Sequence, residues 1–246
     1  MTHIKRTIIL CLLCFSLGAL AQKKDNIIII EDHFFTEMPI SADEIKGFGS
    51  ITTSNGTNAL VMVLKNPLPE KALKYALSAT DIPESEELLE LAKGARIRTT
   101  SVVQPTKSKV TEGQKFPKFT ATDIEGRTWS NADVEGKPMV LNLWFTGCGP
   151  CRSEMPELSK WKDEMPQVMF FSATYETAEK ARPVLESKGF NWIHLVGDTQ
   201  FNQWIDTTGY PLTIVVNKEG IITHVEHGTS PVQREELKAK IQGLAQ

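Results

Sequence analysis

Two cysteines three positions apart, in Cys148-Gly149-Pro150-Cys151, follow an apolar run and open a segment of helical character. At i and i+3 across one helical turn, two thiols can close a small disulfide ring. Cys148 is expected at the helix N-terminus, where free backbone N–H groups and the helix dipole favour a thiolate. That lowers its pKa from about 8.5 toward neutrality and makes it the attacking nucleophile. Cys151, one turn deeper, would resolve the mixed disulfide formed with a substrate. Pro150 suits the first turn, where its missing N–H leaves no bond unmade. Two rival uses of the pair are weaker. As a structural staple, a ring with two intervening residues constrains little of the unfolded chain. As a zinc site it needs a second pair of ligands, and His33, His194, His224 and His227 show no such pairing motif. Asp32-His33 reads as solvated surface, as do His224 and His227, which diverge on a strand and turn.

The elements that must hold this pair are regular. Pro138 to Phe145 is a continuous apolar strand with one polar intruder, Asn142, and a helix follows from Gly149 to Glu164. Then come a strand over 168–173, a helix over 177–188 and a short strand over 192–196. A strand over 212–216, a turn at Asn217-Lys218-Glu219-Gly220, a strand over 221–225 and a helix over 232–244 complete the pattern. Ahead of these, 119–123 and 127–130 flank Ile124-Glu125-Gly126 as a hairpin. Strands alternating with helices and ending in a hairpin give an α/β sheet with a parallel part and an antiparallel edge. Trp144 is expected to pack under the cysteines, and Trp161 and Trp204 to pack on helix faces.

Upstream lies a different pattern. Met1 to Arg6 is basic and carries no acid, an apolar run reaches Leu20, and Ala19-Leu20-Ala21 precedes the polar Gln22-Lys23-Lys24-Asp25. A basic start, a short apolar stretch and a small-x-small exit read as a secretory signal peptide cleaved after Ala21. The run is short of the ~20 residues that span a bilayer, so the exported chain is not expected to be integral to the membrane. Cys11 and Cys14 leave with the leader, and Cys148 and Cys151 become the only cysteines of a 225-residue mature chain. Lys5 and Arg6 leave too, which takes the net charge from −3 to −5. Without a basic excess, nucleic acid is excluded as a partner class. Residues 22–109 form an N-terminal domain with its linker, and 110–246 a second domain. The former has strand candidates at Ile27–Ile30, Ala59–Leu64 and Ile97–Val103, and a helix over 85–93 with Ser85 as its N-cap and Gly94 as its stop. It reads as a small α+β or β-rich domain of open role, and Gln104 to Lys109 as the linker.

From Thr111 to Leu244 the chain resembles the thioredoxin superfamily, and within it the TlpA/ResA-like exported thiol–disulfide oxidoreductases. Asp123-Ile124-Glu125-Gly126 and Leu141-Asn142-Leu143-Trp144-Phe145-Thr146-Gly147-Cys148-Gly149-Pro150-Cys151 carry the likeness, and Pro156 falls where thioredoxins kink this helix. The resemblance implies a thioredoxin-like fold, a central mixed sheet flanked by helices. Gly209-Tyr210-Pro211-Leu212-Thr213 resembles the loop of the family's cis-proline, which implies that Pro211 is cis and faces the cysteines. Glu154 stands where TlpA/ResA-like proteins carry an acid, which implies a proton acceptor for Cys151 with a carboxyl pKa raised by burial; as a plain alternative it complements the helix dipole. Asn142 replaces the buried aspartate of thioredoxin and cannot titrate. Gly147 replaces the usual tryptophan and is expected to open the rim beside Cys148. Tyr210 either lines the substrate groove with Gly147, Gly149 and Pro150, or caps the sheet.

These readings predict a periplasmic enzyme that needs no bound cofactor or metal, because the cysteine pair is the redox centre. Its partners would be a disulfide-containing protein substrate and a membrane-bound electron donor in a thiol–disulfide relay; the resemblance extends to cytochrome c maturation. Cys-Gly-Pro-Cys belongs to the reducing end of the scale, about −270 mV for thioredoxin against about −120 mV for a dedicated oxidant, which favours reductase over oxidase. A peroxiredoxin shares the sheet but resolves its peroxidatic cysteine elsewhere. A copper-handling protein of the same fold wants a histidine near the thiols, and Asp206 to Thr213 holds none.

Overall fold

A computed structural model of the chain describes residues 27–99, 108–206 and 209–244. The leader and its cleavage site lie outside the described residues, as do most of the linker and the end of the strand expected over 97–103. Among the described residues no helix is long and apolar enough to cross a membrane.

The N-terminal unit is built on a five-stranded sheet. Its strands are β1 (Ile27–Ile30), β2 (His33–Phe35), β3 (Ile45–Thr52), β4 (Asn58–Leu64) and β5 (Arg98–Thr99), ordered β2-β1-β4-β3-β5. The β1–β4 pair is parallel and the other pairs are antiparallel. The four consecutive isoleucines of β1 reflect burial on both faces. Ile29 packs with Phe34, Ala59 and Leu88 on one side, while Ile28 and Ile30 pack with Phe35 on the other. Two strands of this sheet, the three-residue β2 and the eight-residue β3, carry no local pattern that predicts them. In β3, a Cβ on Gly47 or Gly49 would lie 2.8 or 2.7 Å from a carbonyl oxygen of Arg98 or Arg96, so glycine is what lets the last strand approach. Two helices complete the unit, α1 (Glu70–Leu73) and α2 (Ser85–Lys93). The expected extent of α2 is met, but Ser85 is its first residue rather than its N-cap. Glu84 takes the cap position in a left-handed conformation, φ 58°. Its carboxylate accepts from Thr53 Oγ1 at 2.6 Å, which ties the helix start to the β3–β4 turn.

The second unit opens with the hairpin β6 (Thr120–Thr122) and β7 (Thr128–Ser130), followed by α3 (Asn131–Val134). Then come β8 (Met139–Leu143), α4 (Gly149–Glu164), β9 (Met169–Ala173), α5 (Ala178–Lys188), β10 (Ile193–Leu195) and α6 (Gln200–Ile205). β11 (Leu212–Val216), β12 (Ile222–His227) and α7 (Pro231–Leu244) end the chain. The sheet order is β10-β9-β8-β11-β12: β8, β9 and β10 run parallel, and β11 is antiparallel to both β8 and β12. This is the expected mixed sheet with an antiparallel edge. Central β8 is buried along its whole length. Met139, Leu141 and Leu143 fill the core on one face, and Val140 and Trp144 meet α4, α5 and α7 on the other. Side chains alternate across a strand, so Asn142 shares the α4 side with Val140. The register places His194, Ser172, Asn142, Thr213 and Glu226 abreast, one polar residue from each of the five strands.

The two units are docked through α1 and α7. Ile40, Ala72 and Val232 form an apolar contact between them. Around it, Tyr75 Oη donates to the Pro231 carbonyl at 3.1 Å, Lys71 pairs with Glu236 at 2.5 Å, and Lys74 pairs with Glu235. Arg234 of α7, buried at 5% exposure, reaches Glu37 at 2.8 Å.

Candidate active site

The end of β8 delivers the chain to the site. After Leu143 the backbone leaves the sheet, and Thr146 anchors the turn by donating its N–H and its hydroxyl to the Glu176 carboxylate at 2.5 and 2.9 Å. Cys148 then takes the N-cap position of α4 in an extended conformation, and its Sγ accepts from the Cys151 backbone N–H at 3.2 Å. This is the helix-end contact the sequence pointed to: a free N–H of the first turn aimed at the sulfur. Cys148 and Cys151 are joined in a disulfide, with Cα atoms 5.3 Å apart. Pro150 lies in the first turn. Cys148 is 4% exposed and Cys151 fully buried, while Gly149 and Pro150 stand at the surface. Trp144 is buried in the same apolar cluster as both cysteines, as expected, and so is Trp161.

Glu154 follows Cys151 by three residues and therefore lies on the same side of α4, one turn down. It points into the protein and is only 3% exposed. The Asn142 amide nitrogen donates to it at 3.0 Å and to Thr213 Oγ1 at 2.9 Å. Burial pushes its pKa up from the ordinary carboxylate value to about 7, against the hydrogen bonds of Thr229 and Asn142 and the charge of Arg234; Glu157 adds a smaller upward push. Glu154 is thus a buried carboxyl on the side of α4 that meets β8.

On the opposite side, the Tyr210–Pro211 peptide is cis, as the resemblance implied, and the Pro211 carbonyl accepts from Gly228 N–H at 2.9 Å. Pro150, Tyr210 and Pro211 line one groove of about 520 Å³, whose other walls include Gly228, Thr229 and Gln233. The groove also takes in residues 41–44 of the N-terminal unit. Tyr210 belongs to this groove and is braced as well: its ring meets Phe145 edge-on at 5.5 Å and its hydroxyl bonds to Asn202.

Gly147 is exposed, with the Phe145 ring beside it; a Cβ there would come within 2.9 Å of that ring. One expectation changes. His224 is not solvated: its ring nitrogens lie 2.8 Å from Glu112 and 3.1 Å from Glu226, and its pKa is raised, first by the Glu226 hydrogen bond. Among the described residues, no group of three or more His, Cys, Asp or Glu side chains is placed to hold a metal.

Thr229 and Arg234 were missed at the sequence level. For Arg234 a signal existed. With Leu237 and Ile241 it falls at i, i+3 and i+7 on the buried face of α7, and an arginine at such a position calls for buried partners. Thr229 sits in the β12–α7 connection, where a threonine carries no distinguishing pattern.

Residues 111–241 match the Redoxin family. The thioredoxin-like protein YneN of Bacillus subtilis is 28% identical over 137 residues, 54% of this chain and 79% of that protein. The thiol:disulfide interchange protein DsbE of Pseudomonas aeruginosa is 30% identical over 143 residues, 54% of this chain and 76% of its own length. The thiol-disulfide oxidoreductase ResA of Bacillus subtilis is 28% identical over 128 residues, 50% of this chain and 71% of that protein. Among solved structures, a putative thiol:disulfide interchange protein DsbE from Chlorobium tepidum is alike in fold. It has a TM-score of 0.52 at 18% identity, and the match covers 56% of this chain and 100% of that one. The family match starts at Thr111, so the N-terminal unit falls outside it. With the match extending over more than half its length, the chain belongs to the Redoxin family and is a thiol–disulfide oxidoreductase of thioredoxin type.

Proposed function

We propose that this oxidoreductase is exported and reduces disulfides in partner polypeptides. Residues 1–21 act as a cleaved leader, residues 22–109 as an N-terminal unit with its linker, and residues 110–246 as the redox unit. The observation that carries the reading is the Cys148–Cys151 pair at the start of α4 with the buried acid Glu154 behind it.

In the reduced enzyme, the Cys148 thiolate attacks one sulfur of a substrate disulfide. The substrate S–S bond breaks, a Cys148–substrate bond forms, and the other substrate sulfur leaves as a thiolate. Cys151 passes its proton to Glu154 and attacks the Cys148 sulfur. The substrate departs with its second thiolate, and the Cys148–Cys151 disulfide holds the oxidising equivalent. Two electrons have moved from enzyme to substrate. A membrane-bound thiol–disulfide donor then returns the pair to the dithiol. A carboxyl with a pKa of about 7 suits the proton step, since it is available both as acid and as base near neutrality. Gly147, Gly149, Pro150, Tyr210 and Pro211 form the rim on which the substrate segment rests.

Trapping tests this reading. Cys151→Ser, expressed with its leader, should accumulate a mixed disulfide between Cys148 and its partner in the compartment outside the inner membrane. The wild-type reduced protein should also reduce the disulfides of insulin. Absence of trapped partner together with absence of insulin reduction would overturn it.

A further inference from the structure

The groove beside the redox pair takes its walls from both units. Pro150 comes from the turn between the two cysteines, Tyr210 and Pro211 from the proline loop, and Ser41 to Glu44 from the N-terminal unit. A polypeptide laid along this groove beside the cysteines therefore meets residues outside the family match, which starts at Thr111.

Residues 41–44 are held in place from two sides. Ala42–Glu44 form a single tight turn, and the Glu44 N–H donates to the Ser41 carbonyl at 3.1 Å. The Glu44 carbonyl accepts from the Lys65 N–H at 2.8 Å, and the Lys65 ammonium donates to the Asp43 carbonyl, so the residue after β4 grips the turn from its own unit. From the redox unit, Val232 of α7 packs against the neighbouring Ile40.

The fixed charge that this wall brings to the groove is negative. Asp43 is exposed, and Lys65 holds its carbonyl rather than its carboxylate. The Glu44 carboxylate accepts from the neutral amide of Asn66 at 3.1 Å and keeps its charge. Glu226, the third acid of the groove, is by contrast met by His224 at 3.1 Å and by the Gln233 amide at 2.7 Å. No lysine or arginine stands among the residues that line the groove. Against one ammonium behind the turn, Asp43 and Glu44 set two carboxylates.

We infer that residues 41–44 are a specificity-determining wall of the substrate groove, and that the polypeptides reduced here carry lysine or arginine within a few residues of the reacting cysteine. The inference rests on the reading of this protein as a reductase of partner polypeptides, and it names the class of segment that site takes. An exposed charge pair adds little affinity alone. Opposite charges nonetheless steer encounter and fix which partner is preferred, while an acidic segment is repelled by the same carboxylates.

The test is a selectivity ratio in full-length protein. Two synthetic peptides are each closed by one disulfide, one with lysines flanking a cysteine and its twin with glutamates. Reduced wild-type protein should consume the lysine peptide about tenfold more efficiently by kcat/KM at low salt, chiefly through KM. The preference should shrink as salt is raised to about 0.5 M. Asp43→Asn with Glu44→Gln keeps the side-chain shapes and removes both charges, and should bring the ratio to within about twofold of parity. Asp43→Lys with Glu44→Lys should invert it. A wild-type ratio near one, a ratio that salt does not change, or the same ratio in wild type and both variants would overturn the inference. Failure of the reduced wild type to act on either peptide or on insulin would overturn the reductase reading on which it rests. The ratio is taken within one enzyme and the salt series needs no variant, so a poorly folding substitution leaves the test decisive.

Discussion

The Asn142 amide donates to the Glu154 carboxylate across 3.0 Å, in the core between β8 and α4. Position 142 holds a neutral donor that cannot titrate itself but hydrogen-bonds an acid that can.

Glu154 should make stability fall as pH rises. Its carboxyl has a pKa of about 7 in the fold against 4.5 in the ordinary state. Below 4.5 both states hold the proton and the fold carries no penalty. Through the window from 4.5 to 7 the unfolded chain ionises first, so stability is lost progressively and is lowest above the folded value. The full loss is on the order of 3 kcal/mol. Urea unfolding of the oxidised protein at pH 4.5 and pH 8 should show it. Glu154→Gln should remove this component, and equal pH dependence in both proteins would refute the assignment.

Asn142→Asp places a second carboxyl against Glu154. Two acids in hydrogen-bond contact cannot both ionise readily. The variant should reduce insulin with its pH profile displaced to higher pH and spread over two steps. A single unshifted step would show that Asn142 does not act on Glu154.

Gly147→Trp restores the bulk that the rim lacks, but the Phe145 ring occupies that space. Phe145 must swing away from Tyr210, and the cost should be about 1–3 kcal/mol of stability. Thermal unfolding measures the cost. The Michaelis constant for a protein substrate should change more than the rate with dithionitrobenzoate, which needs no groove.

Val232→Asp puts a carboxylate into the contact with Ile40 and Ala72. Burying an unpaired charge there should cost about 3 kcal/mol or release the docked unit. Hydrogen exchange should then quicken in α1 and around Tyr75, while the amides of β8 stay protected. Uniform loss of protection would mean that the two units unfold as one.

Much of the redox unit was legible in the chain alone. β11 and α4 were foreseen to the residue because an apolar strand, a Cys-Gly-Pro-Cys turn and a helical pattern are local signals. The same holds for β1, whose run of isoleucines is short and bounded. What escaped were β2, β3, α1, α3 and α6, each short or weakly patterned, whose form is set by the surfaces they meet rather than by their own periodicity. The cis form of Pro211 came from resemblance and not from composition, since its local sequence does not distinguish the two isomers.

The chemistry of this protein was therefore written in sequence order: two thiols at helical spacing, an acid three residues later, a proline loop far downstream. Their setting was not. Asn142 stands 12 residues before Glu154 and Thr213 71 residues after Asn142. The three meet, with Asn142 donating to both of the others, only because β8, β11 and α4 are packed together. Local spacing determines which groups can react. Burial and long-range hydrogen bonds, which no window of sequence contains, decide where the proton of the site is held and what holds it there.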